Sequence, residues 1–408
     1  MLTPKNLENF CAVVLSTGVN LQKGQGLEIL CPIDKKEVAH ALTQKAYEMG
    51  AKIVRVRWED QTIEKLNFLH SDLDALCNVP KWFIDSKNEL VDKGFCYVAI
   101  AAENPKAFDG VPTERLSAYS KAKSKALKKY FNAVTSNEIR WCVTSVPTKE
   151  WAECVFPNSV DPESELSNAI MKTMRLDSPN PVLAWQKHVE LLCKRANFLN
   201  ENDFDYLHFE SPLGTDLKVG LAKDHVWLSA LEKAQDGIDF IANLPTEEVF
   251  TAPHRERVNG IVRSAKPLVI NGQIVEYFII TFRDGKAVNF TASRGYDALK
   301  GLIDTDKGSC RLGEVALIGK SSPIAQSGIL FYNTLFDENA SCHLALGKAY
   351  PTTVKNGTNL LAEQLKALGV NDSIEHEDFM IGTPDLSVTG VTKDGRKVPL
   401  FKDGDWII

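Results

Sequence analysis

No Cys-x-x-Cys pair occurs among the nine cysteines of this 408-residue chain, and an odd count cannot close wholly into disulfides. Most of the thiols lie in apolar runs such as Phe95-Cys96-Tyr97-Val98-Ala99-Ile100, the usage of reduced, buried cysteine. Excess positive charge is missing too. Lys and Arg total 47 against 53 Asp and Glu, a net charge of −6, and without a sustained basic patch no nucleic-acid partner is expected. The densest basic stretch, Lys121, Lys123, Lys125, Lys128 and Lys129, falls at helical spacing among Ala and Leu and reads as a solvated helix face. No apolar run reaches the length of a membrane span. The opening Met1-Leu2-Thr3-Pro4-Lys5-Asn6 lacks the basic-then-apolar layout of a signal peptide, so a cytoplasmic protein without a membrane partner is expected. Asn-x-Ser/Thr tripeptides, such as those at Asn289, Asn339 and Asn356, then have no consequence, because a cytosolic chain does not meet the glycosylation machinery.

Several enzyme signatures are absent as well. There is no His-Glu-x-x-His and no Gly-x-Ser-x-Gly, which sets aside the single-zinc proteases of that type and the serine hydrolases of the nucleophile-elbow kind. Gly313 to Ser321 only imitates a phosphate loop. Five residues, Glu314 to Ile318, separate Gly313 from Gly319 where four are needed, and an aliphatic strand cannot wrap phosphates.

What is present is, first, a change of pattern along the chain. At this length two domains of about 200 residues are expected. Residues 5–17 carry apolar positions at helical spacing, and Gly24 and Gly26 precede a strand over Leu27–Cys31. Asp34 is placed to cap a helix with Val38, Ala41, Leu42 and Ala46 on its apolar face, ending at Gly50 before the strand Ile53–Trp58. This is a βαβ unit. Strands over Tyr97–Ala101 and Ile139–Thr144, with helices through 113–130 and from Thr148, repeat the pattern. Residues 160–200 look helical with a break at Ser178-Pro179-Asn180-Pro181. Residues 1–200 thus predict an α/β domain with a mostly parallel sheet. Beyond Asn200 come short strands, Tyr206–Phe209, Leu217–Gly220, Lys266–Ile270, Val275–Phe282 and Lys397–Phe401, with Asn271-Gly272, Asp284-Gly285 and Asp403-Gly404 as hairpin turns. Residues 201–408 predict a β-rich α+β domain, and the chemistry lies in it.

Carboxylates and imidazoles cluster there: Glu247 and Glu248 after Pro245-Thr246, Glu314 opening an aliphatic run, Asp337-Glu338 before His343 and Tyr350, and His376-Glu377-Asp378. Among aliphatic neighbours such groups are costly to bury unless a cation neutralises them. On a strand His376 and Asp378 project to one side while Glu377 points elsewhere. Each segment also has a plain structural explanation. Thr246 could cap a helix whose dipole favours the glutamates, Arg311 could pair with Glu314, Asp337-Glu338 could cap a helix, and His343 could be a satisfied core residue. Together, Glu248, Glu314, Glu338, His343, His376 and Asp378 supply four carboxylates and two imidazoles. That complement suits two divalent ions, zinc, cobalt or manganese, sharing a bridging carboxylate, and hydrolysis of an amide or ester is their natural chemistry.

Four segments in order, Pro-Thr-Glu-Glu-Val-Phe-Thr at 245–251, Leu-Gly-Glu-Val-Ala-Leu at 312–317, Phe-Asp-Glu-Asn-Ala-Ser-Cys-His-Leu-Ala-Leu-Gly-Lys-Ala-Tyr at 336–350 and His-Glu-Asp-Phe-Met-Ile-Gly at 376–382, resemble the thermophilic-type leucyl aminopeptidases, the aminopeptidase T, aminopeptidase S and PepS group. Residues 22–26 and 50–54 resemble that family's N-terminal domain, so the likeness runs over the whole chain. It implies a homodimeric two-metal exopeptidase acting on peptides. Glu248, Glu314, Glu338, His343, His376 and Asp378 match the family's metal ligands, Glu314 the shared one, and Tyr350 matches a tyrosine close to the metals whose hydroxyl could meet the oxyanion. Glu247 is a candidate amine anchor or general base. Cys342 departs from the Asn or Asp associated with that position, and a thiol there could alter metal preference or sensitise the site to oxidation. Two other functions remain open: a metal-dependent esterase or amidase for small molecules, and a catalytically silent metal-binding or peptide-binding protein.

Overall fold

The computed structural model describes residues 3–270 and 273–408; the first two residues and the turn expected at Asn271-Gly272 lie outside the described residues. By its contacts the chain forms two units. One comprises Met1–His188, Leu231–Pro245 and Leu330–Leu335, the other Val189–Ala230, Thr246–Ile329 and Phe336–Ile408.

The first unit is built on a parallel sheet with the spatial order Ile53–Glu59, Gly26–Pro32, Cys96–Ile100, Trp141–Thr144 and Asn243–Leu244. The α/β class with a parallel sheet is therefore as expected. Strand Gly26–Pro32, second in that order, is covered on both faces: Leu27, Ile29 and Cys31 are buried on one and Glu28 and Leu30 on the other. Helix Lys36–Glu48 follows it and turns Val38, Ala39, Leu42 and Ala46 inward. Asp34 does not cap this helix. It sits within the 3-10 turn Ile33–Lys35, and Lys35 occupies the cap position without a side-chain bond, because the turn leaves Asp34 one residue too early.

The opening helix, Pro4–Val13, ends in a wider π-helical turn, Val14–Gly18. The expected helix through 113–130 is two, Thr113–Ala126 and Lys128–Thr135. Leu127 at the junction is drawn into a core with Val91, Tyr130, Ala133 and Ile139, which bends the path. Three further helices, Gln61–His70, Leu73–Cys77 and Lys81–Asp92, had no expectation attached. The first is opened by Asp60, whose carboxylate accepts the N–H groups of Thr62 and Ile63.

The second unit holds an eight-stranded and a four-stranded antiparallel sheet. The Asp284-Gly285 and Asp403-Gly404 turns close hairpins with positive φ at both residues, the geometry those dipeptides favour. The expected strand Val275–Phe282 is two short strands, Gln273–Val275 and Ile279–Arg283, because Tyr277 at φ 48° leaves the extended region. The four-stranded sheet runs Val249–Thr251, Leu312–Leu317, His343–Gly347, His376–Met380. No helix among the described residues is long and apolar enough to cross a membrane.

Candidate metal centre

In an antiparallel sheet, directly paired residues project to one face and each strand returns to that face every second residue. Glu314 pairs with Ala345 and Ala345 with Asp378; Ala316 pairs with His343, and Gly347 with His376. Glu314, His343, His376 and Asp378 therefore share a face. Phe250 pairs with Ala316, so Glu248, two residues earlier, emerges on the same side. Parity sends Glu377 and Cys342 to the other.

One irregularity makes this possible. Leu312 pairs with Leu346, but a bulge shifts the register before Glu314 meets Ala345. An unbroken register would oppose Glu314 to Leu344 and turn its carboxylate to the opposite face. Gly313 occupies the bulge because a Cβ there would lie 2.2 Å from the Lys348 carbonyl oxygen and 2.5 Å from that of Gly347.

The donors converge. His343 Nε2 lies 3.3 Å from Glu248 Oε2, 3.4 Å from Glu314 Oε1 and 3.8 Å from Asp378 Oδ1. His376 Nε2 lies 3.9 Å from Glu314 Oε2 and 3.5 Å from Asp378 Oδ2. Glu314 and Asp378 each present one oxygen to each imidazole. Glu248, Glu314 and His343 offer ligand atoms all within 4.8 Å of one another.

Backbone carbonyls set both rings. His343 Nδ1 is 2.9 Å from the Glu338 oxygen and His376 Nδ1 is 2.7 Å from that of Lys348. With Nδ1–H donating, Nε2 is left as the coordinating lone pair, the arrangement that orients histidine ligands. Glu338 comes from the short 3-10 turn Glu338–Ala340 that follows helix Thr334–Asp337, and the fields of Asp378, Glu248, His343 and Glu314 act on its carboxyl. Tyr350 stacks obliquely on His376, with ring centroids 5.0 Å apart.

The cluster is short of positive charge. Burial, then repulsion by Asp378 and Glu248, pushes the Glu338 carboxyl well above the usual range. Burial and the same two neighbours raise Glu314. Against the burial that would lower them, carboxylate partners raise both His343 and His376. Asp378, in spite of its burial, is held low by His376 and His343, and its Oδ1 is buried without a hydrogen-bond partner among the described residues. A donor set of four carboxylates and two Nε2 lone pairs, over-supplied with negative charge, fits divalent cations of the borderline class.

The plain structural explanations fare differently. Arg311 does not pair with Glu314; its guanidinium donates to the carbonyls of Arg255 and Asp284. Thr246, Glu247 and Glu248 do not begin a helix, since the chain runs extended into Val249–Thr251. His343 is buried, but only its Nδ1 is satisfied by backbone. The Cys342 thiol turns away from the cluster, bonds the backbone of Ile318 at 3.4 Å and is pushed up to about 12 by burial, so it neither joins the donors nor offers a thiolate.

One residue went unnoticed in the motifs. Asn339, fully buried, accepts the Glu247 N–H on Oδ1 at 2.8 Å and donates from Nδ2 to Glu338 Oε1 at 3.3 Å. It ties the segment carrying Glu247 and Glu248 to the turn carrying Glu338. Its only sequence signal was its place directly after Asp337-Glu338.

Comparison with known proteins agrees with this geometry over the whole chain. The family model of the thermophilic metalloproteases (M29) matches residues 3–406. Aminopeptidase 2 of Geobacillus stearothermophilus is 42% identical over 404 residues, 98% of each chain. Aminopeptidase PepS of Streptococcus thermophilus is 43% identical over 407 residues, 99% of this chain and 98% of the relative. The solved structure of wild-type AmpT from Thermus thermophilus superposes with a TM-score of 0.93 at 36% identity, covering 99% of both chains.

Proposed function

The chain belongs to the M29 family of thermophilic metalloproteases and is a metal-dependent peptide hydrolase, and from that premise we propose that it is an aminopeptidase working through two divalent ions. Glu248, Glu314, Glu338, His343, His376 and Asp378 are the proposed ligands, with zinc, cobalt or manganese as the metals. The observation that carries this reading is the way Glu314 and Asp378 each offer one oxygen to each imidazole, which suits two neighbouring ions better than one. Glu314, in the centre of the sheet, is the proposed shared ligand.

Bound there, divalent ions supply Lewis acidity toward a carbonyl oxygen and lower the pKa of water. The chain's own groups then have distinct tasks. The Nδ1 bonds of His343 and His376 keep both rings aimed at the cluster. Tyr350, beside His376, is proposed to donate a hydrogen bond from its hydroxyl to the substrate oxygen that becomes negative as the carbonyl carbon turns tetrahedral. Glu247, held through its backbone by Asn339, is proposed either to take the proton of the attacking water or to hold the peptide's free α-ammonium. Recognition of that ammonium is what would restrict cleavage to the first residue.

A homodimer, cytoplasmic location and a boundary between the α/β and catalytic domains near residue 200 complete the proposal, supported by the family resemblance and the change of pattern along the sequence. The test compares an aminoacyl chromogenic amide with its N-acetylated counterpart, with chelator and with each metal restored. Cleavage of the free amine alone, dependent on metal, is expected. Equal cleavage of both substrates would favour the esterase or amidase function, and cleavage of neither under any metal a binding protein.

A further inference from the structure

The parallel sheet of the first unit reverses its winding once. From Gly26–Pro32 the chain steps to Ile53–Glu59 on one side and then to Cys96–Ile100 on the other. At such a switch point the connections leave the sheet in opposite directions, and a crevice opens above the carboxyl ends of the strands. A cavity of about 480 Å³ occupies that place, bordered by Pro32, Glu59 and Ile100 at the ends of the three strands. Its size falls within the roughly 300–1,000 Å³ of small-molecule sites.

Its lining determines what it would take. Asp34, Glu59, Glu103 and Glu150 face Lys65 and Lys106, and Asp60 is already engaged as the cap of helix Gln61–His70. Among the described residues Glu59, Glu103 and Glu150 have no ion-pair partner, nor do the two lysines. These carboxylates do not close on a point: among the described residues, the cluster of ligand atoms tight enough for a metal ion belongs to the other unit. Charges distributed around a cavity suit a ligand whose positive groups are themselves separated, and the lysines suit a carboxylate on the same molecule.

We propose that this cavity binds a small zwitterion with excess positive charge, the chemistry of a free basic amino acid or a short basic peptide. Carboxylates at the strand ends receive its ammonium and guanidinium groups while Lys65 and Lys106 receive its carboxylate. For a peptide hydrolase such a molecule is a product.

Calorimetric titration of the full chain with L-arginine tests this without relying on turnover. Arginine should bind saturably to the wild type and equally to Glu314→Gln, whose altered site lies in the other unit. The double variant Glu59→Gln, Glu103→Gln should bind at least about tenfold more weakly, the size of one lost charge-assisted bond. Thr62→Trp, at an exposed position on the cavity wall, should block it without removing a charge. Agmatine, which lacks the carboxylate, should bind more weakly, and glutamate should give no saturable signal. Absence of saturable arginine binding would overturn the proposal. So would binding lost in Glu314→Gln but kept in both cavity variants, and agmatine binding as tight as arginine would refute the part given to the lysines.

Discussion

Replacing Asn339 by alanine isolates the contribution of orientation to the metal centre, because the residue is proposed to touch no metal yet holds two parts of the site together. Its side chain is fully buried. Alanine would leave the Glu247 N–H, now bonded at 2.8 Å, without its acceptor, which costs about 1–3 kcal/mol for a buried donor. It would also release Glu338 from the 3.3 Å bond that fixes one carboxylate oxygen. Loss of an outer partner of a ligand typically lowers metal affinity about 10–100-fold, equivalent to about 1.4–2.7 kcal/mol. Zinc affinity measured by competition with a chromogenic chelator should fall within that range. Unfolding followed in excess chelator separately measures the loss of stability. Zinc affinity within twofold of wild type, alongside a lowered unfolding midpoint, would show that Asn339 only packs the turn and that Glu338 needs no help in finding its orientation.

Glu314→Ala should abolish turnover while the circular dichroism spectrum and dimensions stay those of the wild type; near-normal activity would remove Glu314 from the ligand set. Tyr350→Phe should reduce kcat about 10²-fold with metal still bound, as expected for one oxyanion donor, and an unchanged rate would leave Tyr350 a packing role against His376. Ala345→Leu should lower metal affinity more than stability, because Ala345 stands between Glu314 and Asp378 in register and overpacking a core position costs only about 1–3 kcal/mol; a metal titration beside a denaturant melt checks it. Lys87, buried with Glu28 against Tyr97 and Tyr130, has its pKa lowered by burial from 10.5 to about 8. Between those values the unfolded chain binds more protons, so stability should rise as pH increases from about 8 to 10.5. Urea melts should show that slope diminished when Lys87 and Glu28 are replaced together by methionine and leucine; an undiminished slope would assign it to other groups.

Local pattern revealed much of the fold. β-branched and aliphatic runs announced the central parallel strands, and Asp284-Gly285 and Asp403-Gly404 announced hairpins, because each of those signals acts within a few residues. Where expectation failed, the decisive contact was distant or conformational. Leu127 splits a helix because a core formed by Val91, Tyr130, Ala133 and Ile139 receives it. Tyr277 divides a strand through a left-handed backbone that nothing in its residue type demands. Asn243–Leu244 extends the parallel sheet with only two residues, too few for any periodicity.

The chemistry of the centre was written in residue types: only carboxylates and imidazoles set in apolar segments could explain such motifs, and their identity does not depend on how the chain is folded. Whether those groups meet was decided in three dimensions. The bulge at Gly313 turns Glu314 to the face of His343, His376 and Asp378, parity turns Cys342 away, and Asn339 draws in the segment of Glu247. Register, and the hydrogen bonds between distant segments, are pairwise properties of strands and turns far apart in the chain, so no single stretch of sequence contains them.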